Sequence, residues 1–237
     1  MIAVLKKEMP FDYCIANAEN AAGGTGITGV LAQELYKCGI DVITLGNHTW
    51  SKREVASFLD NDGRIIRPAN YPADLPGKGS VIIDGKLGVV NLLGRVYMDS
   101  VDCPFRVLDR ELTRIKEHVK AVIVDMHCEA TSEKAALAWY ADGRVSSVIG
   151  THTHVQTADE KILPRGTSFI TDAGMTGPSE GILGIDSEII LEKFMSFMPV
   201  RFQLAKGKVQ FNAVYLDIDE SSGKTNSIQR ISKIFDL

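Results

Sequence analysis

Short apolar, β-branched runs alternate along this chain with amphipathic segments, and that alternation constrains its fold more than any other feature. The runs "FDYCIAN", "DVITL", "AVIVDM", "VSSVIG" and "TSFITD" read as buried strands. Between them "GITGVLAQELYKCG" sets Leu31, Leu35 and Cys38 on one helical face, with Gly39 at the C-terminal cap position. Leu108, Leu112, Ile115 and Val119 mark a further helix, "TSEKAALAWYADG" one closed by Gly143, and "DSEIILEKFM" the last. "SKRE", Ser51 to Glu54, has capping-box spacing and predicts a short helix ending near Leu59. "SVIIDGKLGVVNLLG" predicts a hairpin turning at Asp84 and Gly85, and "VRFQLAKGKVQFNAVYLDID" a second hairpin about Gly207. Strands in series with helices give an α/β layered fold.

The 237 residues, 45% of them hydrophobic, carry no repeat, linker or low-complexity segment and are read as one domain over 1–237. A net charge of -4 with scattered Lys and Arg argues against a nucleic-acid polymer as partner. No apolar run approaches the roughly 20 residues of a membrane span, and "MIAVLKKEMP" reverses the order of a signal peptide. Cys14, Cys38, Cys103 and Cys128 stand apart as reduced thiols, so the expected address is cytoplasmic.

Four strands end in residues that bind metals. They supply Glu19 and Asn20, then Asn47 and His48, then His127, then His152 and His154. The carboxyl ends of strands in an α/β sheet lie along one edge, so these groups converge there. Imidazole, carboxylate and amide oxygen together suit Mn, Fe or Zn, whereas Mg alone recruits fewer histidines. In an extended "THTH" the two imidazoles would point to one side and serve adjacent ions. Singly, each residue has a plainer reading: Asn47 as turn chemistry, His127 as a core histidine, Glu19 as a helix N-terminal acid. His118 is assigned to a solvated helix face and Cys128 to packing, while Asp125 is expected to orient a histidine. "AAGGTGITG" lacks the Walker and dinucleotide spacings and reads as a tight turn at the rim. Amidohydrolases also carry an H-x-H pair, but on the first strand of a barrel, and here it comes late.

The segments "IANAENAAGG", "GIDVITLGNHTW", "RPANYP", "GRVYM", "EATSEKAALAWYADGRVSSVIGTHTHVQTADEKILPRGTSFITDAGMTGP" and "MPVRF" resemble, in order, the calcineurin-like metallophosphoesterases. Within them they are most similar to the YmdB-like group of 2',3'-cyclic nucleotide phosphodiesterases. The resemblance implies a four-layer sandwich of two mixed sheets flanked by helices and a site for two transition-metal ions, Fe or Mn, with Zn or Mg as other occupants. It implies that Glu19 bridges the ions, that Asn47, His127 and His152 complete one, and that Asn20 and His154 belong to the other. His48 would be the general acid toward a small phosphate-ester substrate. That family opens with a strand ending in a Gly-Asp-x-x-Gly turn, and this sequence starts within the following helix. The expectation is therefore a sheet lacking its first strand, a weakened first metal site, and an exposed edge that favours a homo-oligomer. The alternative function is a metal- or nucleotide-binding protein with impaired turnover.

Overall fold

The computed structural model describes residues 2–236. The chain opens with α1 (Ile2–Glu8) and β1 (Ile15–Asn17), then α2 (Gly29–Lys37), β2 (Val42–Thr44), α3 (Val55–Asn61) and β3 (Ile65–Ile66). Thr28 caps α2 by accepting from the Leu31 amide, as its short hydroxyl side chain allows at an N-cap. The Ser51–Glu54 box does not form: those residues are turns, and α3 starts at Val55 without a side-chain cap. β1, β2 and β3 make a parallel sheet, and among the described residues β1 pairs on one side only.

Next come β4 (Ser80–Ile83), β5 (Leu87–Leu93), α4 (Pro104–Ile115), β6 (Ala121–His127), α5 (Thr131–Ala141), β7 (Ser147–Thr151), β8 (Lys161–Ile162) and β9 (Ser168–Ile170). The β4–β5 hairpin turns through Asp84, Gly85 and Lys86, the first two left-handed with φ of 51° and 65°, a conformation that Asp-Gly supplies readily. Strand order β4-β5-β6-β7-β9-β8 gives a six-stranded mixed sheet with four parallel central strands. β5 is buried along its whole length, as a parallel strand covered on both faces must be. His118 lies in the turn after α4, exposed, not on the helix itself.

The chain ends with β10 (Gly177–Pro178), α6 (Ser187–Ser196), β11 (Val209–Ile218) and β12 (Thr225–Phe235). β10, β11 and β12 form a third, antiparallel sheet. The second hairpin therefore turns between Ile218 and Thr225, not at Gly207. In "TNSIQRISKIF" the isoleucines recur every third residue, so β12 carries neither an apolar run nor a strand's alternation.

Three apolar clusters define the layers. One packs α4 and α5 on the outer face of the six-stranded sheet, and one packs α2 and α3 on the parallel sheet. The third, with Val42 and Ile66 against Leu87, Val89 and Ala121, lies between the two sheets. The order helix, sheet, sheet, helix is the expected four-layer sandwich, though the smaller sheet is parallel throughout its described strands and an antiparallel ribbon adds a third. No helix is long and apolar enough to cross a membrane among the described residues.

Candidate metal centre

Parallel strands bring their carboxyl ends to one edge, and there four donor atoms meet. His127, the last residue of β6, points Nε2 at Glu19 Oε1, 3.0 Å away, just beyond β1. The same nitrogen lies 3.1 Å from Asn47 Oδ1, beyond β2, and 3.1 Å from His152 Nδ1, beyond β7. Glu19, His127 and His152 thus form a cluster that can hold a metal ion.

An imidazole nitrogen carries at most one hydrogen, so it cannot serve three lone-pair atoms at once. The network on the other side of the ring shows which nitrogen is protonated. Asp125 Oδ1 accepts from Thr151 Oγ1 at 2.7 Å, and Asp125 Oδ2 accepts from Thr44 Oγ1 and from Asn17 Nδ2. With the Thr151 hydrogen committed to Asp125, its oxygen is left to accept from His127 Nδ1 at 2.9 Å. The assigned tautomer therefore turns the Nε2 lone pair into the cluster. Asp125 orients the histidine as expected, but through Thr151. His152 is held in the same manner: its Nε2 lies 3.1 Å from Glu129 Oε2, leaving Nδ1 for the cluster.

Asn20 and His154 stand beside this group. Asn20 Nδ2 is 3.3 Å from Glu19 Oε1 and 3.2 Å from His154 Nε2, and Asn20 Oδ1 is buried without a hydrogen-bond partner. His48 donates its backbone amide to Glu19 Oε2 at 3.0 Å, while its half-buried imidazole has no hydrogen-bond partner among the described residues.

The "THTH" segment is not extended. His152 and His154 have φ of 100° and 67°, so neighbouring side chains turn toward the site by local left-handed geometry and not by strand alternation. Such strain persists where surroundings fix it. Here Asp172 accepts from the Thr153 amide at 3.0 Å and its hydroxyl at 2.7 Å, and is itself paired with the buried Lys134 at 2.9 Å.

Burial would raise the Glu19 carboxyl, but with no ion bound a proton on His127 Nε2, by its hydrogen bond and charge, and the His48 amide outweigh burial and hold the pKa at about 2; a cation at the Nε2 lone pair would take that proton's place. Burial pushes Asp125 up and pushes His152 and His154 down, so both histidines keep their lone pairs at neutral pH.

Three observations test whether a cation fits. Ligands about 2.1 Å from a common ion stand about 3.0 Å apart in a square or octahedral arrangement, which is the spacing seen around His127 Nε2. The orphaned Asn20 Oδ1 is an acceptor waiting for a positive partner. Gly46 leaves room beside His127 and Glu19 that a single Cβ would fill. The residues present fit a divalent ion.

The family described as YmdB-like protein matches residues 1–231. The chain belongs to the YmdB-like family. It is 47% identical over 230 residues to the 2',3'-cyclic-nucleotide 2'-phosphodiesterase of Bacillus subtilis, covering 96% of this chain and 87% of that one. A YmdB-like fold is also seen in a Mycoplasma pneumoniae structure described as a novel phosphatase. That structure has a TM-score of 0.91 and 33% identity, over 99% of this chain and 86% of that one. A hypothetical protein from Thermus thermophilus matches with TM-score 0.89 and 41% identity, over 99% and 91% of the two chains.

The residues gathered here, Glu19, Asn20, Asn47, His48, His127, His152 and His154, are the ones the sequence singles out, but it gives no sign of Thr151, Glu129, Asp172 or Lys134. Thr151 is the last residue of β7, just before His152 in the quoted motif, and its role appears only once Asp125 is found across the β6–β7 pairing. Replacing it with Val keeps the strand and removes the hydroxyl relay, so His127 loses its fixed tautomer. Metal affinity of T151V is expected to fall about tenfold, read by competition with a chelator; an unchanged affinity would overturn the relay.

Proposed function

We propose that the chain is a metal-dependent phosphodiesterase that hydrolyses small phosphate esters of the 2',3'-cyclic nucleotide kind. The observation that carries this reading is the convergence of three lone-pair atoms on His127 Nε2 at the strand ends. The named activity of the Bacillus subtilis relative supplies the substrate class.

In this reading Glu19 would help to hold two divalent ions, Fe or Mn by donor type. Asn47, His127 and His152 hold one, and Asn20 with His154 holds the other. The bound ions supply Lewis acidity to the phosphoryl oxygens and a nucleophile at neutral pH. The protein's own part is to hold the donors still and to move a proton. Thr151 and Glu129 fix the two imidazole tautomers, Asp172 fixes the left-handed turn between His152 and His154, and the Glu19 carboxyl stays ionised. His48 is placed by its amide against Glu19, and its unpartnered imidazole protonates the oxygen that leaves as the P–O bond breaks. The rival reading, a binding protein without turnover, is the less supported, because the donor set around His127 is intact and the relatives' names are those of a phosphodiesterase and a phosphatase. The same reading carries a cytoplasmic address and self-association. The latter is supported by the exposed Phe194, Met195 and Phe197 at the end of α6, an apolar surface of the kind partners cover.

The test is hydrolysis of 2',3'-cyclic AMP by purified protein in Mn buffer, beside the His48→Ala variant. The variant is expected to lose about 10²-fold in kcat while keeping its metal content. Equal activity in both would remove His48 from the chemistry, and activity in neither would favour the binding-only reading.

A further inference from the structure

The other side of His154 opens onto a cleft of about 290 Å³ that the metal chemistry does not use. Its floor is one face of the β11–β12 ribbon. Strand alternation puts Gln210 and Asn212 on that face, and the register sets Ser232 opposite Asn212 and Arg230 one pair further along. Its sides carry the apolar Met175, Pro178 and Leu183, from β10 and the loops around it, beside the polar Gln156 and Ser179.

The floor is polar and incompletely satisfied. Asn212 donates one amide hydrogen to Met175 O at 2.9 Å, which leaves its oxygen and second hydrogen open. Arg230 gives Nε to Glu160 at 2.8 Å, and its terminal nitrogens have no protein partner among the described residues. Glu160 partly offsets the guanidinium charge, and the cleft offers the amides of Gln210 and Asn212, the Ser232 hydroxyl and the free ends of Arg230 beside apolar side chains.

We infer that this cleft binds the nucleobase of a nucleotide whose phosphate lies at the metal centre. A planar heterocycle matches apolar walls with its faces and amide or hydroxyl groups with its edge. The placement also matches: His154 belongs to both regions, and a 2',3'-cyclic phosphate is separated from its base by one sugar ring. Gln156, two residues beyond His154, fixes the spacing: the two hydrogens of its Nε2, one of them shared, face Ala173 O, Ala213 O and Ile231 O, which ties the ribbon to the metal-site loop. This inference rests on the phosphodiesterase reading and adds the specificity element that the sequence did not reveal.

The experiment uses Asn212→Leu and Ser232→Leu in the full chain. Ser232 is exposed, so its replacement fills the cleft without disturbing the core. Adenosine binding is measured by calorimetry, and the KM ratio between 2',3'-cyclic AMP and bis(p-nitrophenyl) phosphate, which has no base, is measured by kinetics. Adenosine affinity is expected to fall at least tenfold in both variants and the KM ratio to shift at least tenfold against the cyclic nucleotide. Adenosine binding unchanged in the variants, or a KM ratio constant within twofold, would overturn the cleft assignment. Loss of adenosine binding in the variants of a protein that cleaves no cyclic nucleotide would uphold the cleft and overturn the phosphodiesterase reading.

Discussion

Glu19→Gln is expected to keep less than one tenth of the bound Mn after dialysis and to lose about 10⁴-fold in kcat/KM toward bis(p-nitrophenyl) phosphate, equivalent to about 5.5 kcal/mol of transition-state stabilisation. Glu19 is fully buried and is the one carboxylate among the seven proposed site residues. Its two oxygens have different tasks, Oε1 toward His127 and Oε2 toward the His48 amide. An amide of the same shape must turn its NH₂ to one of them, losing either a metal donor or the acceptor that places His48. It also removes the negative charge that offsets the cation. Elemental analysis beside kinetics checks both parts, and a variant that retained metal and turnover would remove Glu19 from the centre.

The second large effect comes from a residue with no chemistry of its own. A methyl group built on Gly46 would overlap the His127 ring and Glu19 Oε2. Neither can yield freely, since Thr151 holds the ring and the His48 amide holds the carboxylate. Gly46→Ala is therefore expected to lower kcat/KM about 10³-fold, with metal loss, and to cost about 1–3 kcal/mol of stability through overpacking. Thermal unfolding, metal content and activity are measured together. Gly63→Ala, where a Cβ meets nothing, is the control. Wild-type metal content in G46A would show that the site relaxes around the added methyl.

Most of the layered fold is legible because burial leaves a period in the sequence. β5 and β6 read as continuous apolar runs since both faces are covered, and Asp84-Gly85 marks its turn since few other pairs tolerate two left-handed residues. β12 escaped that reading because polar and apolar residues mix on both of its faces, Ile228, Arg230, Ser232 and Ile234 on one and Gln229, Ile231, Lys233 and Phe235 on the other, so no period of two shows. The Ser51–Glu54 box failed for a related reason: capping spacing states what a side chain can do, and the turn chosen by the preceding site loop decides whether it does. The donors could be found because strand ends gather at one edge. Of their supports Asp125 was legible, but not the Thr151 hydroxyl on a different strand through which it reaches His127, nor Glu129 and Asp172, which reach the histidine segment from loops whose closeness is a product of the fold.

The first turn of α5 joins the two halves of the site rim. Glu133 accepts from the amides of Arg95 and Val96 in the loop after β5, and the next residue, Lys134, holds Asp172 and through it the turn at Thr153. Both side chains are buried, so freeing either loop would strand an unpaired charge. Adjacent positions of a helix point about 100° apart, which lets one turn grip two separate loops. The two rims are thereby tied to the same turn of helix, so local opening of one is expected to involve the other, and a site built mostly on loops draws its order from the core.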